Sequence, residues 1–492
     1  MYCVRVFGVG LALVAGCMAL GGCVVGPDYM QPAMPLPNQW ATTQGPARPP
    51  ELSHWWRRFG DPLLNALIEE GINHNLDVAA AKARIREARA TYRQAVGGLL
   101  PFADAGGEVT RSKSASGSSS GGAQYYTQYQ AGFDASWEAD IFGANKRAIE
   151  AAAYGLDASK EDLRATQLTL IGDIASNYIA LRGYQTRIAL ARRTAASQRE
   201  TAALTQRQLD AGSASSVDVA RAVGLAASTE ANVPALETSY AETVHRLSVL
   251  TGRAPGALAG RLKQAREIPQ PKALPSAGVP ADVLITRPDV RLAERQYAQA
   301  TAKIGQAEAA RYPGVSLTGN IATTALSIGD IGKASTIGWS FGPSLSVPIF
   351  QGGQLRAAVD IARAQRDQYF LAYHSVVLEA LEDVENSAVA LGRERQRNRK
   401  LASAAASYRE ASKLSQQLYQ GGSSDFLDVL DAERSAYSAE DALLVSRAAI
   451  ATDYIALMKA LGGGWDGEVD AGHPTVVDAN TGPHFWRPAG GA

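Results

Sequence analysis

This chain of 492 residues has little cysteine, no net charge and no long apolar run beyond its N-terminus. Its three cysteines, Cys3, Cys17 and Cys23, leave the rest of the chain without a disulfide framework or a thiolate metal site. Lysine plus arginine number 48, as do aspartate plus glutamate, so no net field favours nucleic acid. No later stretch reaches the ~18 uncharged apolar residues that a membrane-spanning helix needs.

Catalytic motifs are missing as well. The six histidines are scattered without metal-ligand spacing, and the chain has neither a Gly-x-Ser-x-Gly elbow nor a phosphate-binding loop. The acidic stretch Glu379, Glu382, Asp383 and Glu385 is interpreted as a solvated or tunnel-facing helix surface rather than a metal site. We therefore predict a protein that is not an enzyme and that uses no metal and no cofactor.

The N-terminus has the pattern of a bacterial lipoprotein signal. Arg5 precedes an apolar stretch that ends in Leu20-Gly21-Gly22-Cys23, the order of a lipobox. We expect cleavage after residue 22 and a covalent lipid on Cys23, N-palmitoyl plus S-diacylglycerol, that holds the chain to the membrane. Val14-Ala15-Gly16-Cys17 also fits this pattern, and Cys17 remains the alternative processing site.

The remaining chain is an internal duplication. Ile141-Phe142 recurs as Ile349-Phe350 and Asp218-Val219 recurs as Asp428-Val429, a spacing of about 210 residues that indicates a repeated structural unit. The order of elements is the same in both halves: helix, strand, polar loop, strand, long helix, tight turn, helix.

This order predicts the following segments. They are a signal peptide at 1–22, an N-terminal extended segment at 23–60, a first repeat at 61–254, a Pro-rich linker at 255–288, a second repeat at 289–464 and a C-terminal tail at 465–492. In the first repeat we expect a helix at 62–96, strands at 101–140, a long helix at 145–211 and a helix at 216–251. In the second we expect a helix at 289–311, strands at 314–350, a long helix at 354–420 and a helix at 424–461.

The strands alternate apolar and polar residues. Between positions 125 and 137, aromatic and small residues occupy the odd positions, and Ile337, Trp339 and Phe341 repeat the pattern in the second half. A soluble sandwich would also alternate, but aromatic-rich strands of this length are typical of outer-membrane barrels. Four strands cannot close a barrel, and lipid does not tolerate an open sheet edge, so the chain must oligomerise.

The helices supply the second half of the prediction. No proline occurs from 102 to 233 or from 349 to 473. A helix over 145–211 or 354–420 would extend roughly 100 Å, over three times the hydrocarbon thickness. The 3-4 spacing of Ile171, Ile174 and Tyr178 indicates coiled-coil packing. Each long helix ends at a glycine-containing turn that returns the chain as a hairpin.

Motifs along the whole mature chain resemble the TolC-like outer-membrane efflux proteins, in the lipoprotein branch called NodT-like. The matching residues are 23–29 with Pro32, Trp56 with 59–63, 83–85 with 88–90, 287–290, 311–313, 348–350, 419–422, 429–432 with Arg434, and 460–465. The resemblance implies an α+β membrane protein, in which four strands per chain contribute to a trimeric twelve-stranded β-barrel continued by an α-helical coiled-coil tunnel through the periplasm.

The resemblance also implies function. Such a homotrimer lies in the outer membrane of a Gram-negative bacterium and acts as the passive exit duct of a tripartite pump. Its partners are a periplasmic adaptor and an inner-membrane transporter of the resistance–nodulation–division type. The family pattern makes Leu427, Asp431 and Arg434 the periplasmic gate and makes the tips (Gly212, Ser213, Gly421 and Gly422) the adaptor contact.

Simpler interpretations remain open at the gate and for the whole chain. Asp431 and Arg434 could form a local helix pair worth only ~0.2–0.5 kcal/mol. Gln420 stands where relatives often carry arginine, which weakens the expected ionic lock. The alternatives to a duct are a periplasmic coiled-coil adaptor or structural lipoprotein, which would lack outward aromatic strands, and an outer-membrane hydrolase, for which the chain offers no motif.

Overall fold

The computed structural model describes residues 24–37, 40, 52–114, 124–272, 287–465, 467, 469 and 471–472. The expected signal peptide and both candidate lipidation sites, Cys17 and Cys23, lie outside the described residues. The chain forms two compact units, each of which takes segments from both sequence repeats. The first comprises Met1–Met34, Ile85–Ser159 and Leu292–Ser375, and the second comprises Pro35–Arg84, Lys160–Arg291 and Val376–Ala492.

The first unit contains one antiparallel sheet of four strands in the order β1-β2-β3-β4. The strands are β1 (Phe102–Ser114), β2 (Gln124–Ala139), β3 (Gly314–Ala325) and β4 (Ile337–Ser346). The two repeats join where β2 pairs with β3, for example Phe133 with Ile321. β2 ends before Asp140, whose carboxylate accepts hydrogen bonds from the backbone N–H groups of Asn145 (3.0 Å) and Lys146 (2.8 Å) and so caps the next helix.

The sheet has one apolar and one polar face. Phe133, Ile321 and Trp339 lie side by side across three strands, and all three are largely exposed in the single chain. The adjacent rung on the other face is Asp134, Asn320 and Ser340, in which the Ser340 hydroxyl donates to Asn320 Oδ1 at 2.7 Å. Exposed aromatic side chains in such a row need an apolar surrounding.

Two helices stand where the sequence predicted one helix at 62–96, which corrects that prediction. They are α1 (Pro62–His74) and α2 (Leu76–Gly97). Asn75 between them is buried and extended. Its Oδ1 accepts from the N–H groups of Asp77 (2.8 Å) and Val78 (3.1 Å), and its Nδ2 donates to the Leu250 carbonyl at 3.0 Å. Asn75 therefore begins α2 as an N-cap and ties it to the end of a later helix.

The long helices of the two repeats match in length. α3 (Ala144–Asp210) and α7 (Gln354–Gln420) have 67 residues each, and the returning helices α4 (Ser216–Leu250) and α8 (Phe426–Ala460) have 35 each. The predicted start of the last helix at 424 is two residues early, because Asp425 has an extended backbone and is the N-cap. Equal lengths place the two turns at equivalent positions of the repeats.

Two shorter helices lie around the linker. α5 (Ala259–Leu262) falls inside the segment predicted as a Pro-rich linker, and α6 (Pro288–Ala309) begins at the last residue of that segment. α6 carries proline at its first position, as α1 does, where the missing N–H costs no helical hydrogen bond.

The core of the second unit contains the segment before α1. A 3-10 helix over Trp55–Phe59 corrects the prediction that residues 23–60 are extended throughout. Trp55 and Phe59 pack edge-on against Tyr454 of α8, with ring centroids 6.3 and 5.5 Å apart. All three rings are buried, so this short segment forms part of the core of the unit.

Candidate gate at the helix turns and candidate anchor clamp

The turns after α3 and α7 have the same backbone geometry. Gly212 and Gly422 adopt φ values of +77° and +69°, a left-handed conformation that glycine adopts without strain. The residue after each glycine donates its N–H back to a carbonyl in the last helical turn, Ser213 to Gln208 and Ser423 to Leu418, both at 2.8 Å. These are Schellman-type helix ends. A Cβ at either left-handed glycine would meet nothing within 4 Å, so each glycine serves its turn and lies in open space.

The three predicted gate residues lie on the exposed side of α8, close to its beginning. Leu427 is 49% exposed. Arg434 Nη2 donates to Asp431 Oδ1 at 3.0 Å, and both side chains are more than 60% exposed. The structure brings Asp431 and Arg434 together as an i,i+3 pair within one helix, the local arrangement that the sequence left open.

The opposite side of α8 is buried near the turn. Phe426 and Val429 pack with Tyr419 of α7, Ala202 of α3 and Ala222 of α4 in one apolar cluster. The Tyr419 hydroxyl also donates to Thr205 Oγ1 of α3 at 3.2 Å. All four helices are therefore fastened to one another next to the turns.

A buried polar layer follows this cluster. Glu433 of α8 is 5% exposed and accepts hydrogen bonds from Thr201 Oγ1 of α3 (2.9 Å) and Gln416 Nε2 of α7 (2.6 Å). Sequence reasoning missed Glu433. The signal was available, since Phe426, Val429 and Glu433 follow the i, i+3, i+7 spacing of a buried helix face.

Ion pairs also join the helices farther from the turns. Arg187 of α3 binds Asp441 of α8 through Nε at 2.7 Å and Nη2 at 3.0 Å. This bidentate bond raises the pKa of the Arg187 guanidinium above its ordinary value, although partial burial opposes the rise. Glu440 Oε1 of α8 accepts a single hydrogen bond from Arg409 Nε of α7.

Arg287 joins three helices at the other end of α8. It is buried and donates to both carboxylate oxygens of Asp289 in α6, at 3.0 and 2.6 Å. It also donates to Asp383 of α7 at 3.0 Å and to the Ala460 carbonyl that ends α8 at 3.2 Å. Asp383, which we interpreted from the sequence as a solvated or tunnel-facing residue, is 58% exposed and holds this ion pair as well.

In the first unit, the segment that follows Cys23 is held by a clamp on α3. The side chain of Arg147 is 4% exposed, and it donates to the carbonyls of Val25 and Gly26, both at 3.1 Å, and to Asp28 Oδ1 at 2.7 Å. Gly26 has φ +88°, and a Cβ there would lie 2.3 Å from the Cα of Gly305 in α6. Only glycine at position 26 permits this approach.

Tyr29 completes the clamp. Its ring packs edge-on against Tyr154 (5.6 Å) and Tyr297 (5.7 Å), and its hydroxyl donates to the buried carboxylate of Glu294. Burial and that hydrogen bond raise the pKa of Tyr29 far above its ordinary value. The same segment donates the Val25 N–H to the Phe142 carbonyl at 3.2 Å, just beyond the end of β2. The first described residues of the chain thus lie beside one end of the sheet.

Within the part of the chain that the structure describes, no group of three or more His, Cys, Asp or Glu side chains could hold a metal ion. The described helices include none that is long and apolar enough to cross a membrane.

The family model described as "Outer membrane efflux protein" matches the chain twice, at residues 67–253 and 279–463. The chain belongs to the outer membrane efflux protein family. The two matches cover the two repeats, and the resemblance drawn from the sequence motifs is confirmed.

Relatives of this efflux protein match over nearly their whole length. Nodulation protein T of Rhizobium leguminosarum bv. trifolii is 37% identical over 468 residues, covering 92% of this chain and 97% of that one. The cation efflux system protein CusC of Escherichia coli O6:H1 is 32% identical over 460 residues, covering 91% and 97%.

A solved structure is also similar to this efflux protein. The outer-membrane channel OprN matches with a TM-score of 0.85 at 34% identity, over 90% of this chain and all of that one. The predicted α+β fold, with a four-stranded antiparallel sheet joined to long helices, is confirmed, as is the predicted class of function, an outer-membrane efflux channel.

Proposed function

We propose that three copies of this chain form the passive exit duct of a tripartite efflux system in the outer membrane of a Gram-negative bacterium. The observation that carries the proposal is the open sheet. Within the described residues, β1 and β4 each pair on one side only, and the apolar face is exposed. In lipid, the unpaired N–H and C=O groups of both edges must be satisfied by other strands.

Three copies satisfy this requirement and leave a pore. Four strands from each of three chains make a closed sheet of twelve, with no edge remaining. A barrel of about 8 strands is filled by its own side chains, so two copies would form a solid plug, whereas twelve strands leave a lumen. The strands have 10 to 16 residues each, enough for the ~9–11 residues that span a bilayer when tilted.

The duct is closed at the turns of α3/α4 and α7/α8. Leu427, Asp431 and Arg434 are exposed in the single chain, so their side chains are available to neighbours around a three-fold axis. An Asp–Arg pair at that axis can exchange its local partner for one on the next subunit. A lock made of exposed pairs is weak enough for a docking partner to break.

The partners in this proposal are a periplasmic adaptor and an inner-membrane transporter of the resistance–nodulation–division class. The open space around Gly212 and Gly422 leaves the turns, with Ser213 and Gly421, free for an adaptor to contact. The protein itself catalyses nothing and uses no cofactor; energy enters through the transporter.

A lipid on Cys23 anchors each subunit. Support comes from the clamp formed by Arg147, Gly26 and Tyr29, which holds the residues after Cys23 beside one end of the sheet. A lipid attached there would enter the same membrane as the strands, because Val25, two residues after Cys23, hydrogen-bonds to Phe142 just beyond the end of β2.

The experiment that tests the duct and its gate is single-channel recording in a planar bilayer with the purified trimer. Wild-type protein should form pores of low resting conductance, and the double variant Asp431→Ala/Arg434→Ala should raise the resting conductance severalfold. The matched control is Glu394→Ala/Arg397→Ala, which removes an i,i+3 pair of α7 that lies away from the turns. Absence of any pore from the wild type would reject the duct, and unchanged conductance of the gate variant would reject this gate.

A further inference from the structure

We propose that Glu433 is a two-position switch on the gate helix: it bonds to Thr201 of α3 when the duct is closed and to Gln198 of α3 when the duct opens. This inference rests on the proposed function, since it assigns how the gate segment of α8, the helical turns that carry Leu427, Asp431 and Arg434, is held and released.

Glu433 holds the gate segment from the buried side of α8, opposite the exposed gate residues. It lies between Asp431 and Arg434 in the sequence, but their side chains are more than 60% exposed, whereas Glu433 is 5% exposed. Its carboxylate receives Thr201 from α3 and Gln416 from α7. Any rotation or sliding of this part of α8 must therefore break or exchange the bonds of Glu433.

Gln198 lies in the same groove as Glu433 and is available as a second hydrogen-bond partner for its carboxylate. It is 2% exposed, and neither its Oε1 nor its Nε2 has a hydrogen-bond partner within the described structure. Buried amides are rarely left unpaired in native proteins, because the lost hydration is not replaced. Gln198 and Glu433 line one groove of about 420 Å³ between α3, α7 and α8, together with Gln416.

The geometry of α3 makes an exchange feasible. Gln198 precedes Thr201 by three residues, so both side chains lie on one face of the helix and are about 4.5 Å apart along its axis. A shift of α8 by that distance moves the Glu433 carboxylate from the Thr201 hydroxyl to the Gln198 amide. The Thr201 hydroxyl keeps a hydrogen-bond acceptor after this shift, because it also lies 3.2 Å from the Ser197 carbonyl of its own helix.

Charge at the far side of the groove favours the second position. Arg193, Arg409 and Lys413 line the same groove as Gln198. Two of them already bind Glu440, at 3.8 Å from Arg193 and through the shorter bond from Arg409. A carboxylate that moves toward Gln198 approaches this basic group. The shift exchanges one hydrogen-bond donor, the Thr201 hydroxyl, for another, the Gln198 amide, so the two positions differ little in hydrogen bonding, as a switch requires. The Asp431–Arg434 pair on the other side of α8 moves with the helix.

The test compares three variants in voltage-driven single-channel recordings. Each substitution nearly preserves the volume of the side chain that it replaces. Thr201→Val removes the donor of the closed position and should raise the frequency of full openings about tenfold, the effect of losing one hydrogen bond to a charged group. Gln198→Met removes the partner of the open position and should lower that frequency about tenfold at unchanged resting conductance, by the same reasoning. Gln206→Met, at an exposed position of the same helix, is the matched control and should open like wild type.

Two outcomes would overturn the switch. One is normal opening of Gln198→Met, with or without a gain in thermal stability, since a merely structural amide would affect stability alone. The other is an unchanged opening frequency in Thr201→Val. Failure of the Asp431/Arg434 variant to raise conductance, combined with the opposite effects of Thr201→Val and Gln198→Met, would reject that gate pair and keep the switch; absence of wild-type pores would reject the proposed function itself.

Discussion

At the scale of single residues, close backbone packing positions the N-terminal segment more than charge does. The clamp on the N-terminal segment depends on two glycines and one buried arginine. The backbone of Gly26 packs directly against the backbone of Gly305, and a Cβ on Gly305 would lie within 2.8 Å of the Arg147 side chain. A side chain at position 26 would push the segment away from α6, and one at position 305 would displace the Arg147 side chain that holds the segment.

We expect Gly26→Ala to detach the segment over 24–30. The left-handed φ and the backbone clash should cost about 1–3 kcal/mol, which is enough to expose the segment much of the time. The measurement is limited proteolysis of the trimer with a protease of broad specificity, followed by mass spectrometry of the N-terminal fragments. Gly260→Ala, where a Cβ meets nothing within 4 Å, is the control. A segment equally resistant in both variants would show that no clamp exists.

The sequence predicted some of these functional residues and missed others. Motif resemblance identified the residues from Cys23 to Tyr29, but it gave no reason for them. Arg147 has no signal of its own in a helix rich in arginine, and its role follows only from the carbonyls that the folded segment presents to it. Gln198 could not be found either, because an unpaired amide is a property of packing and not of spacing.

At the scale of elements, periodicity was sufficient for the strands and the long helices. Alternation together with the repeat predicted four strands, and the absence of proline predicted helices that the structure shows to have 67 residues each. The break at Asn75 was missed because asparagine interrupts a helix only where its side chain finds partners, here two N–H groups and the Leu250 carbonyl from a distant part of the chain.

The pairing of the strands gives the polar face of the sheet its charge. Asp104 and Asp134 lie opposite each other, with Asn320 next in the rung, and Glu108 lies on the same face. Arg111 and Lys113 of β1 occupy the other face by alternation. In the proposed barrel the polar face lines the lumen, and a lumen lined by carboxylates favours cations.

Removing charge from this rung should change ion selectivity. We expect Asp134→Asn to lower the cation-to-anion permeability ratio about twofold and Asn320→Asp, its neighbour in the rung, to raise it. Reversal potentials across a salt gradient provide the measurement. Asp330→Asn, in the loop between β3 and β4, serves as the control and should leave the ratio unchanged. Equal ratios in all three variants would place the polar face outside the conduction path.

At the scale of the whole molecule, the duplicated chain is incomplete by itself. Each repeat contributes two strands, and the resulting sheet of four has two unpaired edges within the described residues and an exposed aromatic face. These features are unsuited to water and to lipid in a single chain, and they are resolved when identical neighbours pair edge to edge. The sequence could predict that the chain oligomerises; the number of copies followed from the family resemblance and from the strand number that leaves a lumen.

Native mass spectrometry of the mature protein released from detergent micelles tests this claim most directly. We expect one dominant species with the mass of three lipid-bearing chains, and we expect the protein to stay dispersed only while detergent is present. A stable single chain that remains monodisperse in water without detergent would exclude the trimeric pore, because a sheet with open edges and an exposed aromatic face could not then be a third of a membrane pore.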